Sequence, residues 1–155
     1  MILEAFRIIK RARASTCFDG EGARLFGGRW NSKGVRLVYT SSTQSLAILE
    51  TLVHLDSHEI LAKKYCVRVA QFDAKLCERL DRALLPVGWD EDIPINATKD
   101  IGDAWIKTGR SAVLIVPSSI SPLEENYLLN PAHPDFRLIR FSAAKDFVFS
   151  RRLLK

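Results

Sequence analysis

Residues 112–116 read AVLIV, five apolar residues in a row, three of them β-branched, with Pro117 ending the run. Its length suits a strand better than a helix, and it offers no polar residue to face water. The run therefore predicts a strand covered on both faces, and the rest of the chain has to supply the sheet around it. Strand-type composition recurs in LEAFRII at 3–9, VRLVYT at 35–40, YCVRVAQF at 65–72, NYLLN at 126–130 and RLIRF at 137–141. The tail FVFSRRLLK has the composition for one more.

Helical signals are fewer. Ser41, Ser42 and Thr43 offer N-caps for a helix running to about Leu55, with Leu46, Leu49, Leu52 and Val53 at spacings of three and four. Thr98 reads as the cap of a helix through about Thr108, with Gly109 just past its end. A short helical turn is expected near Leu76–Leu84. Residues 10–34 read as irregular and glycine-rich, and loops of that length are usually functional or disordered. Strands outnumber helices and do not alternate with them regularly. The prediction is an α+β fold, a single domain over residues 1–155 with a mixed sheet and flanking helices.

The 155 residues include 47% hydrophobic, enough to fill a core. The formal net charge of +5 suits an anionic partner, either nucleic acid or a small molecule such as a dinucleotide. The basic residues are dispersed and form no arm of five or more, which argues against nucleic acid. Cys17, Cys66 and Cys77 are odd in number and form no CxxC, so neither a disulfide framework nor a zinc site is expected. The start carries no signal-peptide pattern, and no apolar run approaches the roughly 20 residues of a membrane helix. The expected location is the cytoplasm.

The loop FGGRWNSKG at 26–34 fits neither a dinucleotide fingerprint nor a phosphate-binding P-loop. Two readings stay open for it: a solvated turn, or a loop in which Arg29 grips an anion with a planar pair of charged hydrogen bonds. Glu50 lies mid-helix beside Leu46, Ala47, Val53 and His54. It is either a boundary glutamate reaching water or a carboxylate kept for chemistry. Tyr39 ends a strand and is either core or ligand contact. Ser118 and Ser119 follow the buried strand, where a serine can cap, bind or attack; no GxSxG surrounds them, so a nucleophile is a poor choice. The histidines show no metal spacing, and Asp90, Glu91 and Asp92 read as a solvated acidic loop.

Three segments taken together, GEGARLFGGRWNSKG, VYTSSTQSLAILETLVHL and VPSSISPLEENYLLNPAHPDF, resemble the RES domain family over the whole chain and in the expected order. That family is named for an Arg, a Glu and a Ser, which fall here on Arg29, Glu50 and Ser118. The family serine directly follows the proline, which selects Ser118 over Ser119. Tyr39 matches the tyrosine that members carry before the helix.

The resemblance implies a mainly antiparallel sheet in an ADP-ribosyltransferase-like fold. It implies the toxin of a type II toxin–antitoxin pair, with NAD as substrate rather than cofactor. The partner would be an Xre-type antitoxin, which would make any DNA contact, and a homodimer within the complex is compatible. Members either release nicotinamide by hydrolysis or phosphorolysis, arresting growth, or transfer ADP-ribose to a protein. In such a site Arg29 would meet the phosphates and Glu50 would stabilise the ribosyl cation. Tyr39 would stack on nicotinamide or ribose, Ser118 would orient the substrate, and Arg7 and Asn126 would add polar contacts. A nucleic-acid-directed toxin is the rival class, and the scattered Trp30, Trp89 and Trp105 give it no stacking face.

Overall fold

The computed structural model describes residues 1–154. Eight strands form one sheet, in the order β4-β5-β6-β2-β1-β3-β7, with β8 also pairing β3. They are β1 (Ile2–Lys10), β2 (Val38–Ser41), β3 (Tyr65–Asp73), β4 (Cys77–Arg79), β5 (Val113–Pro117), β6 (Glu125–Leu129), β7 (Arg140–Phe141) and β8 (Lys145–Phe147). The β4–β5 pair is parallel and the others are antiparallel, which makes the sheet mixed and mainly antiparallel as expected. The helices are α1 (Glu21–Phe26), α2 (Gln44–Leu52), α3 (Ser57–Ala62) and α4 (Asn96–Thr108).

Side-chain alternation explains the layers. In β5 every residue is buried, Val113 and Ile115 on one face, Leu114 and Val116 on the other. The first face runs across the whole sheet through Ala5, Val38, Ala70 and Phe72 and is closed by Cys17, Phe18 and Ile139. The opposite face carries two separate clusters. One joins Trp30, Leu114, Val116 and Leu128 to Trp105 of α4. The other joins Ile8 and Tyr65 to Ala47 of α2 and Ile60 of α3. A seam separates them, because β1 and β2 meet only at Phe6 opposite Ser41.

Several local expectations change. The stretch 10–34 is not irregular throughout, since α1 occupies Glu21–Phe26. The turn expected near 76–84 is strand β4 between short 3-10 turns, and α3 arises in the polar stretch after His54, capped by Asp56 accepting from the Glu59 amide. Thr43 does cap α2, taking the Leu46 amide at 3.1 Å, but the helix ends at Leu52. Leu49 and Val53 of the expected apolar stripe are exposed, while Leu46 and Ala47 face inward. Thr98 is not the cap of α4: the helix starts at Asn96 and Thr98 donates back to the Ile95 carbonyl. Gly109 closes it in the left-handed conformation.

Gly102 sets how closely α4 approaches the 26–34 loop, because a Cβ there would stand 1.7 Å from the Trp30 carbonyl oxygen. On an open helix face Gly→Ala would gain about 1 kcal/mol in propensity. Here overpacking against backbone wins. Gly102→Ala should destabilise the protein by about 1–3 kcal/mol or more, measured by denaturant unfolding; an unchanged or raised midpoint would mean that α4 shifts freely.

Candidate active site

The seam between the two clusters is a cleft of about 1110 Å³. It has β1 and β2 as floor, α2 as one wall and the 26–30 loop with Lys99 of α4 as the other. Alternation aims β-strand side chains into it. Ser41 pairs with both Phe6 and Asn126, so all three share the cleft face, and Tyr39 lies two residues before Ser41.

Glu50 lines the cleft from α2, on the helical face it shares with Ala47, Thr51 and His54. One oxygen, Oε1, takes two hydrogen bonds, from Ser118 Oγ at 2.8 Å and from Asn126 Nδ2 at 2.6 Å. The carboxylate is thereby fixed, and its second oxygen is left for a ligand. Ser118 is fully buried. Its hydroxyl also accepts the Ile120 and Ser121 amides, each at 3.1 Å, so its bonding capacity is spent inside the protein. Ser118 therefore mounts Glu50, and Ser119 is the serine that lines the cleft.

Arg29 reaches the cleft from the loop wall, whereas Arg7, next to Phe6 on β1, starts from the opposite face beside Cys17 and Asp19 and reaches into the seam. Arg29 Nη1 donates to the Trp89 carbonyl at 2.8 Å, and its remaining donors are available. Arg7 bridges the seam, Nη1 donating to the Tyr39 carbonyl at 2.7 Å, and its buried Nε has no partner. Burial lowers the Arg7 pKa, opposed by Cys17 and Asp19 nearby, and an arginine remains a cation regardless. Tyr39 lines the cleft with its ring, but its hydroxyl turns away. It donates to Asn31 Oδ1 at 2.6 Å and accepts the Trp30 amide at 3.0 Å. Burial, first of all, pushes its pKa well above the ordinary tyrosine value, so the hydroxyl stays protonated.

Arg7, Arg29, Tyr39, Glu50 and Asn126 thus share one cleft, with Ser118 directly behind Glu50. Sequence reasoning missed Lys99, whose Nζ donates to the Gly28 carbonyl at 2.8 Å at the cleft wall, and His54 as a cleft residue. His54 sits four residues after Glu50, a helical spacing that points to the same face. Asp90 and Asp92 are exposed, as expected of a solvated acidic loop, and they also line the cleft. Among the described residues no His, Cys, Asp and Glu group is arranged to hold a metal ion.

The result is an α+β sheet opened at one seam, with an anchored glutamate on one wall of the cleft and Arg29 on the other. The RES domain model matches residues 4–150, and the chain belongs to the RES domain family. It is 38% identical to the Prs ADP-ribosylating toxin of Sphingobium sp. (strain YBL2), covering 100% of this chain and 99% of that protein. It is 36% identical to Toxin Res of Yersinia enterocolitica, covering 96% and 97%, and 34% identical to Toxin Res of Photorhabdus laumondii, covering 97% and 96%. Among solved structures, the M. tuberculosis MbcT–MbcA toxin–antitoxin complex matches with a TM-score of 0.76 over 96% of this chain and 85% of that one. The 16% identity makes this a likeness of fold.

Ser118→Ala should cost about 1–3 kcal/mol, because it strands two amides and removes one of the two donors on Glu50. Chemical denaturation measures it, and a loss below about 0.5 kcal/mol would class Ser118 with ordinary surface positions.

Proposed function

We propose that this RES domain toxin acts in the cytoplasm on NAD, breaking the bond between nicotinamide and its ribose. The observation that carries this reading is the Glu50 carboxylate, held on one oxygen by Ser118 and Asn126 in a cleft that also holds Arg7 and Arg29. The volume of about 1110 Å³ lies just above the roughly 300–1,000 Å³ common for small-molecule sites, which suits a dinucleotide.

The chemistry follows from the placement of charge. Arg29 pairs with the diphosphate, Arg7 adds positive charge from the seam in the cleft floor, and the surplus positive charge of the chain favours approach of the anion. The free oxygen of Glu50 accepts from a ribose hydroxyl. As the glycosidic bond breaks, its electron pair leaves with nicotinamide, whose ring nitrogen becomes neutral, and positive charge develops on the ribose. A fixed carboxylate stabilises that charge without having to reorganise, often the largest catalytic contribution. An acceptor oxygen from water or phosphate then bonds to the anomeric carbon and yields its proton to solvent.

Transfer to a protein nucleophile is the second reading, favoured by the 38% identity to a toxin named for ADP-ribosylation. It uses the same cleft and differs only in the acceptor. The neutralising partner is an Xre-type antitoxin that closes the cleft, with a carboxylate-bearing segment complementing the arginines. The likeness to a toxin solved with its antitoxin supports such a partner.

Purified protein incubated with NAD, with and without phosphate, should release nicotinamide, and mass spectrometry of the other product identifies the acceptor. Glu50→Gln keeps an oxygen for Ser118 and Asn126 while deleting the charge. Turnover should fall roughly a hundredfold or more, with NAD affinity changing much less. Near-normal nicotinamide release by the folded variant would return Glu50 to a structural role.

A further inference from the structure

We infer that Asn31, together with the Tyr39 hydroxyl, is a positioning residue that sets where Arg29 stands in the cleft. Asn31 is completely buried, and its side chain touches no open space. Nδ2 donates to the Ala23 carbonyl at 2.8 Å, the Val35 carbonyl at 3.0 Å and the Ser32 carbonyl at 3.2 Å. Oδ1 accepts the Tyr39 hydroxyl at 2.6 Å. One amide thereby ties α1, the far end of the loop and strand β2 to a single point, and nothing is left over for a ligand.

The geometry around the tyrosine oxygen carries the inference to Arg29. The hydroxyl accepts the amide of Trp30, the residue after Arg29. Gly28, the residue before it, packs so closely that a Cβ there would lie 2.5 Å from the same oxygen. The Gly28–Arg29–Trp30 backbone therefore wraps around one oxygen, and Arg29 is flanked on both sides by contacts to it. Helix α4 closes the clamp from outside: Lys99 Nζ donates to the Gly28 carbonyl at 2.8 Å, and Asp103 Oδ1 accepts the Ser32 amide at 2.9 Å. The carbonyl of Tyr39 receives Arg7, so the same residue fixes both arginines.

The residue type is required. An aspartate has almost the same shape as asparagine, but it would turn an acceptor toward three carbonyls in place of their donor. A phenylalanine at 39 keeps the ring against the cleft and removes only the oxygen at the centre of the clamp.

The test uses Asn31→Asp and Tyr39→Phe in the full chain, and its kinetic part rests on the NAD reading above. Hydrogen exchange in ligand-free protein comes first. The amides of residues 27–35 should exchange faster in both variants while the β1–β3 and β5–β6 amides keep their protection. This arm needs no substrate, so it decides the clamp even if wild-type protein leaves NAD intact, a result that would sink the proposed function alone. Nicotinamide release comes second. A misplaced arginine should raise KM for NAD roughly tenfold or more with kcat little changed, since Glu50 keeps its mounting. In an Arg29→Ala background Tyr39→Phe should raise KM no further. Should Asn31→Asp not fold, Tyr39→Phe carries both arms. Unchanged loop exchange in folded Tyr39→Phe would overturn the inference. So would a fall in kcat at constant KM, which would make the hydroxyl a contact of the reacting ribose.

Discussion

The ladder between β1 and β2 closes at Phe6 opposite Ser41 and goes no further, and the site depends on that break. On its other edge β1 pairs with β3 from Ile2 to Lys10. The Arg11 amide bonds the Lys64 carbonyl and the Ala74 amide bonds the Met1 carbonyl, so odd-numbered residues turn their main chain toward β3. Antiparallel alternation then turns the polar groups of Ile8 and Lys10 toward the seam. Unpaired main-chain groups are tolerated where water or a ligand reaches them, and a dry core could not contain such an edge. An open cleft at this place follows from the strand pairing, and Arg7 spans it where a ladder would otherwise have run.

The two walls are built by different means. Glu50 stands on a helix, but its orientation comes from Ser118 just past β5 and Asn126 in β6, positions fixed by the register of Val116 opposite Asn126. Arg29 stands on a loop, and its orientation comes from side chains reaching across 8 to 71 residues of sequence. Fixed donors on the carboxylate supply preorganisation where charge develops. In the proposed reaction the side-chain clamp on the loop serves the grip on the anion. Under the proposed function, substitutions at Asn31 or Tyr39 act on binding and those at Ser118 or Asn126 on turnover.

Much of this was legible from the residues. AVLIV announced a strand covered on both faces, and all of β5 is buried. A carboxylate among Leu46, Ala47 and Val53 was odd enough to single out Glu50, which does line the cleft. What stayed hidden came from contacts distant in sequence. Leu49 and Val53 sit at helical spacing with Leu46, yet α2 is rolled so that Ala47 faces β1 while Leu49 is exposed and Val53 is exposed at the cleft, a choice made by the sheet. Gly102 looks like a weak point in a helix until Trp30 is seen against it. Tyr39 was read as a stacking residue, and only the folded chain shows its hydroxyl inside the loop. Ser118 was identified by family resemblance, since no local pattern marks a serine whose partner lies 68 residues away.

The question raised by FGGRWNSKG resolves on energetic grounds. A solvated turn leaves its polar groups to water and gains nothing from burying an asparagine. Here Asn31 is buried with its side-chain donors and acceptor satisfied, and α4 approaches so closely that only glycine fits at 102. Ordering a loop costs on the order of 1–2 kcal/mol per residue in backbone entropy, which several buried hydrogen bonds at about 1 kcal/mol each offset only in part. The burial of Trp30 against Trp105 and Leu114 adds to that offset. Packing energy thus holds rigid a segment that presents Arg29 at the cleft and leaves Lys33 in solvent, which supports the proposed anion-binding role of Arg29.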